Sequence, residues 1–317
     1  MFEVITMGSA LRDVFLSTEI KEKNKMICFP TDEKILVKDI NFSVGGGGIN
    51  SSFAFKKLGI NVGFIGKIGD DENGNEILKK IKEEKINFIG NISKKYNTGY
   101  SVIIDSIQRT KALLTYKGAN ENLNYSEINF EKLKTNWFYF ATMIGKSFET
   151  QEKLSYFAEK NGIKLVYNPS SYQTSKGIKP IEKILKRTEI LILNKEEAKM
   201  LIKNGDLIKE LLKTGPRIVC ITDGERECKV CDGGFIYSAR PHKVKVVERT
   251  GAGDAFGAGF ISGLIKSSNI ETAIQYGILN GESVVQYIGA RNGLLTEKEI
   301  IKRIKNNPVK IYKERLI

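Results

Sequence analysis

A glycine-rich turn followed by a carboxylate lies near the C-terminus, within Glu248–Phe260. Gly251, Ala252 and Gly253 form the turn, and a helix of small residues is expected to begin at Asp254. Backbone N–H groups without partners converge at such a helix start, where the helix dipole adds positive potential. The segment therefore predicts an anion hole for a phosphate, with Asp254 as the base for an attacking hydroxyl.

Two ordinary features of helices produce a similar pattern. An aspartate at a helix start is often a cap that satisfies unpaired amides, and glycine-rich turns occur where a helix packs closely on a sheet. However, Gly257, Gly259 and Gly263 lie inside the expected helix, and each costs about 1 kcal/mol relative to alanine. Close packing or a close approach has to offset that cost. From these residues alone, cap and catalytic base stay open as alternatives.

Two polar clusters nearer the N-terminus would need to converge with Asp254. Asp13 follows the expected strand Val4–Met7 in a turn, and the cluster Gly45–Asn50 opens a helix. Its four consecutive glycines would let a substrate approach the backbone closely. Asp13 and Asn50 are suitable partners for the hydroxyls of a polyol, although a turn residue and a helix cap are the simpler interpretations.

Common nucleotide-binding fingerprints are absent from the chain. The glycine cluster does not fit G-x-G-x-x-G, because Asn50 stands where the last glycine is required. No glycine is followed at the required spacing by Gly-Lys-Ser/Thr, which excludes the Walker A loop. The phosphate site is therefore expected to be of another type.

Short apolar runs alternate with helical stretches and predict an α/β fold, a mainly parallel sheet flanked by helices. The expected strands are Val4–Met7, Asn61–Ile68, Trp137–Thr142, Lys164–Tyr167, Glu189–Leu193, Ile218–Thr222 and an alternating run through Val244, Val246 and Val247. The expected helices include Asn75–Lys85, Thr150–Lys160, Glu196–Lys203, Glu271–Tyr287 and Thr296–Asn306.

Two β-rich segments, Val14–Val44 and Tyr100–Tyr116, interrupt this alternation. Both are expected to be hairpins that pair as a second, small sheet over the active site. We therefore predict one domain spanning residues 1–317, with a β-sheet lid formed by about 14–44 and 97–120.

The composition of the chain bears on whether it binds nucleic acids or membranes. The chain has 317 residues and a net charge of +13, but its lysines are mixed with glutamates and form no basic block interleaved with aromatics. We expect solvated helix faces and no nucleic-acid partner. No run approaches the roughly 20 apolar residues of a membrane span, so no membrane partner is expected. The N-terminus shows no signal peptide, which predicts a cytoplasmic location.

The motifs together resemble the ribokinase-like PfkB family of carbohydrate and nucleoside kinases over essentially the full length. Thr250–Phe256, reading TGAGDAF, is similar to the specific C-terminal signature of the family. Gly45–Asn50 and Gly66–Gly74 resemble the N-terminal signature. Asn194–Glu197 resembles the N-x-x-E motif, and Thr222–Gly224 resembles a turn that contacts nucleotide phosphates and ribose.

The resemblance implies a Rossmann-like domain with a β lid, which transfers phosphate directly from ATP–Mg²⁺ to a primary hydroxyl. Asp254 would be the general base, and the turn before it would hold the γ-phosphate. The implied substrate residues are Asp13, Gly45, Gly46 and Asn50. The implied ATP-binding residues are Asn194, Thr222, Gly224 and Asn280, and those acting on Mg²⁺, through water, are Asn194 and Glu197.

Three residues depart from the family pattern. Glu248 stands where the family often has an aspartate, at a segment associated with a monovalent cation, so activation by potassium is not implied. Gly47 replaces the lysine usual in ribokinases, which does not favour ribose specifically. Glu227 replaces the glycine that commonly ends the nucleotide turn.

The leading hypothesis is an ATP-dependent sugar kinase, since Arg109-Thr110 and Tyr116–Asn120 resemble a stretch common in sugar kinases. The alternative is a nucleoside kinase on the same scaffold, with Phe15, Phe29 and Tyr100 as an aromatic shelf for the base. A third class is an inactive sugar- or nucleotide-binding protein. Relatives often dimerise through the lid, whose strand edges need cover, so a homodimer is a further expectation.

Overall fold

The computed structural model describes residues 1–24, 26–108 and 111–316. Arg109 and Thr110, which carry part of the resemblance to sugar kinases, lie outside the described residues.

A ten-stranded sheet and a separate four-stranded sheet hold most of the strands. In chain order the strands are β1 Phe2–Met7, β2 Leu11–Thr18, β3 Glu22–Lys23, β4 Met26–Ile27, β5 Val37–Gly45, β6 Val62–Ile65, β7 Lys67–Gly69, β8 Asn87–Phe88, β9 Asn91–Ser93, β10 Gly99–Asp105, β11 Lys111–Tyr116, β12 Thr135–Ala141, β13 Lys164–Asn168, β14 Ile190–Asn194, β15 Ile218–Thr222, β16 Cys228–Cys231, β17 Phe235–Ala239 and β18 Ile311–Arg315. The helices are α1 Gly47–Lys57, α2 Glu72–Glu83, α3 Gly145–Lys160, α4 Ser171–Thr174, α5 Glu182–Leu185, α6 Lys195–Leu201, α7 Leu207–Leu212, α8 Ala252–Ser267, α9 Ile270–Val284 and α10 Glu297–Asn306.

The large sheet has the order β18-β17-β16-β15-β14-β13-β12-β1-β6-β8. Its pairs from β15 to β8 are parallel, and those from β15 to β18 are antiparallel. Parallel neighbours need crossover connections, which place helices on the sheet faces. Alternate residues of β1 accordingly enter two different cores: Val4 packs with α1, α8 and α9, whereas Ile5 and Met7 pack on the α3 side. The predicted fold class is confirmed.

The structure corrects two predicted strands. Asn61–Ile68 is divided at Gly66: β6 stays in the large sheet, and β7 pairs with β9 instead. The run Val244–Val247 is not a strand, so that prediction is wrong. Strand β17 already pairs with β16 and β18, and the chain after it crosses to α9, where the amide of Val247 donates to the Val285 carbonyl at 2.8 Å.

The small sheet has the order β11-β10-β2-β5, in the segments where a second sheet was predicted. Its register places Ser43, Asp13, Ser101 and Thr115 side by side on one face, as a polar row. One residue away on each strand, the side chains point to the opposite face. They form an apolar row of Phe42, Val14, Val102 and Leu114. At this level of the sheet the two faces therefore differ in chemistry, and Asp13 lies on the polar side; the next row on its face includes the apolar residues Phe15, Ile103 and Leu113.

Asn120 ties the small sheet to the turn after β1. It lies in a 3-10 turn, Gly118–Glu121, directly after β11. Its Oδ1 accepts from the Ala10 amide at 2.8 Å, and its Nδ2 donates to the Ala10 carbonyl at 2.8 Å and to the Lys117 carbonyl at 3.1 Å. Ala10 is fully buried, so no water replaces these bonds.

Asn120→Ala should lower the free energy of unfolding by about 2–3 kcal/mol, because it leaves two buried backbone groups of Ala10 unpaired. Asn122→Ala is the matched control, since the half-buried Asn122 side chain donates only to the Gly118 carbonyl, at 3.1 Å. Urea unfolding of both variants measures the difference. An equal loss of unfolding free energy in the two variants would show that the Asn120 bonds to Ala10 do not have this stabilising role.

Candidate active site

The glycine turn before α8 has a backbone that only glycine adopts easily. Gly251 has φ +81°, and a Cβ there would lie 2.5 Å from the Ala290 carbonyl oxygen. Helix α8 begins at Ala252, two residues earlier than predicted, so Asp254 is in its first turn and is not the cap residue. The Ala252 amide donates to the Arg249 carbonyl at 3.3 Å. The amides of Gly253 and Asp254 precede the first intrahelical bond and lie at the positive end of the helix dipole.

The Asp254 carboxylate meets the glycine cluster of α1. Its Oδ2 accepts from Nδ2 of Asn50 at 2.9 Å, and its Oδ1 would lie 3.5 Å from a Cβ at Gly47. Burial raises the pKa of Asp254 to about 6, and the hydrogen bond from Asn50 opposes that rise. The structure thus brings together two clusters that are 204 residues apart in the chain.

The glycines of α1 allow the chain's own backbone to pack closely. A Cβ on Gly48 would lie 2.5 Å from the Gly8 backbone, and a Cβ on Gly46 would lie 2.6 Å from the Ser9 carbonyl oxygen. That carbonyl accepts from the Gly48 amide at 3.2 Å. Gly46 and Gly48 are therefore explained without a substrate, and a Cβ at Gly47 would lie 3.1 Å from the Ala141 Cβ as well as close to Asp254.

The interior glycines of α8 have close neighbours, which explains why glycine is present there despite its low helix propensity. A Cβ at Gly257 would collide with the Tyr139 hydroxyl. Gly259 and Gly263 lie against α9, where a Cβ would be 2.6 Å from the Tyr276 carbonyl oxygen and 2.8 Å from the Ala273 Cα. These glycines set how closely α8 and α9 pack, and they fix the position of the α8 start.

Asp13 is buried within strand β2, between Ser43 and Ser101 of the polar row, so the prediction that it lies in a turn is wrong. Burial raises its pKa to about 6, while a hydrogen bond with Ser101 and the charges of Arg291 and Lys117 act in the opposite direction. A Cβ at Gly45 would collide with the Asp13 carboxylate, so a glycine is required there for Asp13 to keep its position.

Asn194 and Glu197 form a capping box at the start of α6. The Glu197 amide donates to Asn194 Oδ1 at 2.9 Å, and the Asn194 amide donates to Glu197 Oε2 at 2.9 Å. Burial raises the pKa of Glu197 to about 7, and the negative charge of Asp254 adds to this rise. The capping box therefore uses the only side-chain oxygen of Asn194 and one of the two carboxylate oxygens of Glu197. Glu197 lies close enough to Asp254 for their charges to interact.

A cavity of about 380 Å³ opens beside the start of α8. The predicted residues Asn194, Thr222, Gly224, Ala252 and Gly253 line it. Apolar side chains line another part of it: Val244, Val246, Phe256, Ile278 and Val285. Charged side chains, among them Glu227, Arg249 and Glu282, line the rest. Val244 and Val246, whose alternation predicted a strand, therefore line this cavity.

Asn280 does not line this cavity. Its side chain is fully buried, donates to the Ala255 carbonyl at 2.9 Å and accepts from the Leu295 amide at 3.0 Å. The structure therefore places Asn280 between α8, α9 and the segment before α10, apart from the other residues expected to bind ATP.

Sequence reasoning missed several charged contacts around the site. Lys111 of the small sheet pairs with the buried Glu248, which also accepts from Thr250 Oγ1 at 2.7 Å and the Gly289 amide at 2.9 Å. These contacts hold the pKa of Glu248 below its usual range. His242 Nδ1 lies 3.0 Å from Glu282 Oε1 at the rim of the cavity. No local pattern signals either pair, since the partners are 137 and 40 residues apart.

The model of the pfkB family of carbohydrate kinases matches residues 1–297. The chain belongs to the PfkB family. An uncharacterized sugar kinase from Archaeoglobus fulgidus is 29% identical over 75% of this PfkB chain and 96% of its own. A ribokinase from Lactococcus lactis is 27% identical over 88% of this chain and 92% of its own.

Solved structures of this fold cover the chain almost completely. A nucleoside kinase from Methanocaldococcus jannaschii, described as an archaeal member of the ribokinase family, has a TM-score of 0.82 at 21% identity and covers 97% of this chain and 99% of its own. A protein from E. coli described as a ribokinase II, in complex with ATP and Mg²⁺, also has a TM-score of 0.82, at 18% identity, and covers 97% and 100%. Among the helices in the described part of the PfkB chain, none is long and apolar enough to span a membrane.

Asp254→Asn should raise the free energy of unfolding at pH 8 by about 1–3 kcal/mol, since a carboxylate whose folded pKa is raised costs stability when ionised. The wild type loses this stability as pH rises from the ordinary pKa of 3.8 to the folded value of about 6, so the difference should shrink on acidification. Urea unfolding across that range measures it. A variant less stable than wild type at pH 8 would argue against a strained carboxylate.

Proposed function

We propose that this PfkB protein transfers the γ-phosphate of ATP to a hydroxyl of a sugar, with Asp254 as the general base. The observation that carries the proposal is the position of Asp254: a half-buried carboxylate in the first turn of α8, which accepts a hydrogen bond from Asn50 at 2.9 Å. Its pKa of about 6 keeps it ionised at neutral pH yet basic enough to accept a proton.

The cavity beside α8 suits the nucleotide. Its apolar side chains would hold the base. Gly253 also lines it, in the first turn of α8, where the γ-phosphate would bind at the positive end of the helix dipole. Asn194 and Glu197 offer oxygen donors, which suit an Mg²⁺ ion that keeps much of its water shell. Bound Mg²⁺ would neutralise phosphate charge. Asn280 would act indirectly, by holding α9 against α8.

The acceptor hydroxyl would lie between Asp254 and Asn50. Asn50 donates a hydrogen bond from its Nδ2 to Asp254. Its buried Oδ1 has no partner within the described residues and can accept a hydrogen bond from a hydroxyl. The hydroxyl proton passes to Asp254 as the oxygen attacks the γ-phosphorus and the bond to the β-phosphate oxygen breaks. The amides of Gly253 and Asp254 stabilise the charge on the transferring group.

The small sheet favours a sugar over a nucleoside. The row containing Asp13 and Ser101 offers carboxylate and hydroxyl groups to a polyol. Phe15 shares that face, but Tyr100 lies on the opposite one, so these two rings do not form the single shelf that a nucleobase would need. Phe29 is exposed outside the small sheet. The structural likeness to a nucleoside kinase extends to the fold alone.

The Glu248 carboxylate already has Lys111, Thr250 and the Gly289 amide as partners. We propose that the Lys111 ammonium supplies the positive charge at this segment and that the enzyme needs no monovalent cation.

Release of ADP with ATP–Mg²⁺ across pentoses, hexoses and nucleosides tests the function. Asp254→Asn should lower turnover by about 10²–10⁴-fold, because the amide cannot accept the proton. For the wild type, kcat/KM should fall about tenfold per pH unit below pH 6, as Asp254 becomes protonated.

Asp206→Asn is the matched control, since Asp206 only caps α7, accepting from the Lys209 amide at 2.9 Å. A loss of less than about tenfold in Asp254→Asn would reject the general base. Faster turnover of adenosine or cytidine than of any sugar would establish the nucleoside alternative, and binding of ATP without turnover would establish the inactive binding protein.

We further propose a homodimer formed through the apolar row of the small sheet. Phe42 is 54% and Leu114 61% exposed, in register across the sheet, and a second copy would cover them. Leu114→Asp should convert a dimer into a monomer in light scattering with size-exclusion chromatography. A wild-type monomer at micromolar concentration would contradict this.

A further inference from the structure

Lys117 lies at the end of the small sheet, close enough to Asp13 for their charges to interact. It directly follows strand β11 and caps the 3-10 turn Gly118–Glu121, and its carbonyl oxygen would be 2.8 Å from a Cβ at Gly99 of β10. Gly99 pairs with Leu11, two residues before Asp13. Lys117 therefore follows Thr115 of the polar row by two residues, at the end of the sheet where Gly99 and Leu11 pair.

Arg291 approaches the same place from the other side, on the loop after α9. Its guanidinium carbon is 4.3 Å from the centre of the Phe53 ring, and Phe53 follows Asn50 by nearly one turn of α1. The residue before it, Ala290, packs against Gly251 of the anion hole. The side chain therefore packs on α1 near Asn50, and the backbone that carries it contacts the turn before α8.

Neither cation has a close carboxylate partner. In residues 1–24, 26–108 and 111–316, no carboxylate oxygen lies within 4 Å of Lys117 Nζ or of the Arg291 guanidinium, and Arg291 Nε is buried without a hydrogen bond. The Lys117 ammonium lies 4.7 Å from the centre of the Tyr172 ring. Burial lowers the pKa of both cations, and the charge of Asp13 acts against that effect in both.

The acidic residues near these cations do not neutralise them fully. Asp13 is one carboxylate between two cations. Glu121 acts on Lys117 and Glu84 on Arg291, but Glu84 is exposed, where water and salt screen its charge. A partly desolvated cation without a partner is costly unless a ligand pairs with it.

We propose that the acceptor is an anionic sugar whose carboxylate or phosphate group binds between Lys117 and Arg291. The inference rests on the proposed kinase function and names its substrate class. The Arg291 guanidinium would donate hydrogen bonds to two oxygens of the anion, and the Lys117 ammonium would add a second positive charge. Asp13 and Ser101 would then bind hydroxyls of the same sugar and leave its primary hydroxyl at Asp254.

Matched pairs of acceptors that differ in charge test this inference. Gluconate against glucose gives a carboxylate arm, and fructose 6-phosphate against fructose gives a phosphate arm. We expect one anionic member to exceed its neutral partner in kcat/KM by at least about 100-fold, as for a lost charge-assisted bidentate pair. Lys117→Met and Arg291→Gln should each raise KM for that acceptor by about 10–100-fold and leave kcat within about threefold.

Lys95→Met is the matched control, because the Lys95 ammonium also lies over a tyrosine, 5.3 Å from the Tyr96 ring centre, but is exposed. It should leave both constants unchanged. If the two variants lower kcat for every acceptor at unchanged KM, the cations serve the transferring phosphate and the proposal is overturned. Neutral sugars turned over as well as anionic ones would also overturn it, with the kinase function intact.

Thermal shifts with the same acceptors separate this inference from the kinase proposal. An anionic member should raise the Tm of the wild type more than its neutral partner does, and this difference should vanish in Lys117→Met and Arg291→Gln. Equal shifts for the two members overturn the anion site. Anion-dependent shifts without any release of ADP would support the site and count against the kinase function.

Discussion

The hydrogen bond from Asn50 to Asp254 joins the starts of α1 and α8 at 2.9 Å, and the surrounding backbone is arranged so that these starts can meet. Gly48 lets α1 lie against Gly8, and Gly251 lets the turn before α8 lie against Ala290. Any side chain at these glycines would push one helix start away from the other. In the proposed reaction, these backbone contacts would fix the geometry between the acceptor hydroxyl and the phosphate that it attacks.

Carboxylates of unusual basicity surround this junction. Burial raises the pKa of Asp13 and Asp254 to about 6 and that of Glu197 to about 7. Each one costs stability when ionised, and that cost persists because the surrounding backbone holds the groups in place. Glu248 differs: Lys111 and two further donors satisfy it, so its pKa is lowered and it acts as an anchor between the small sheet and the anion-hole turn.

The small sheet performs two tasks because its strands alternate. Asp13 and Ser101 lie on one face, where we propose that the acceptor binds, and Phe42 and Leu114 lie on the other. A shift of register by one residue would exchange the two faces. The Asn120 bonds to Ala10 oppose such a shift at the point where the sheet meets the main domain.

The sequence by itself determined the α/β class, most strands and helices of the large sheet, and the motif Gly251–Asp254, because these depend on local periodicity and on glycine backbone freedom. The strand predicted at Val244–Val247 was wrong, because the alternating valines there line a cavity and do not pair in a sheet. Only the tertiary structure decided which charges meet. Lys111 and Glu248 are 137 residues apart, and Lys117 and Arg291 approach Asp13 from different elements. Such pairings depend on strand register and helix packing, which no short stretch of sequence encodes.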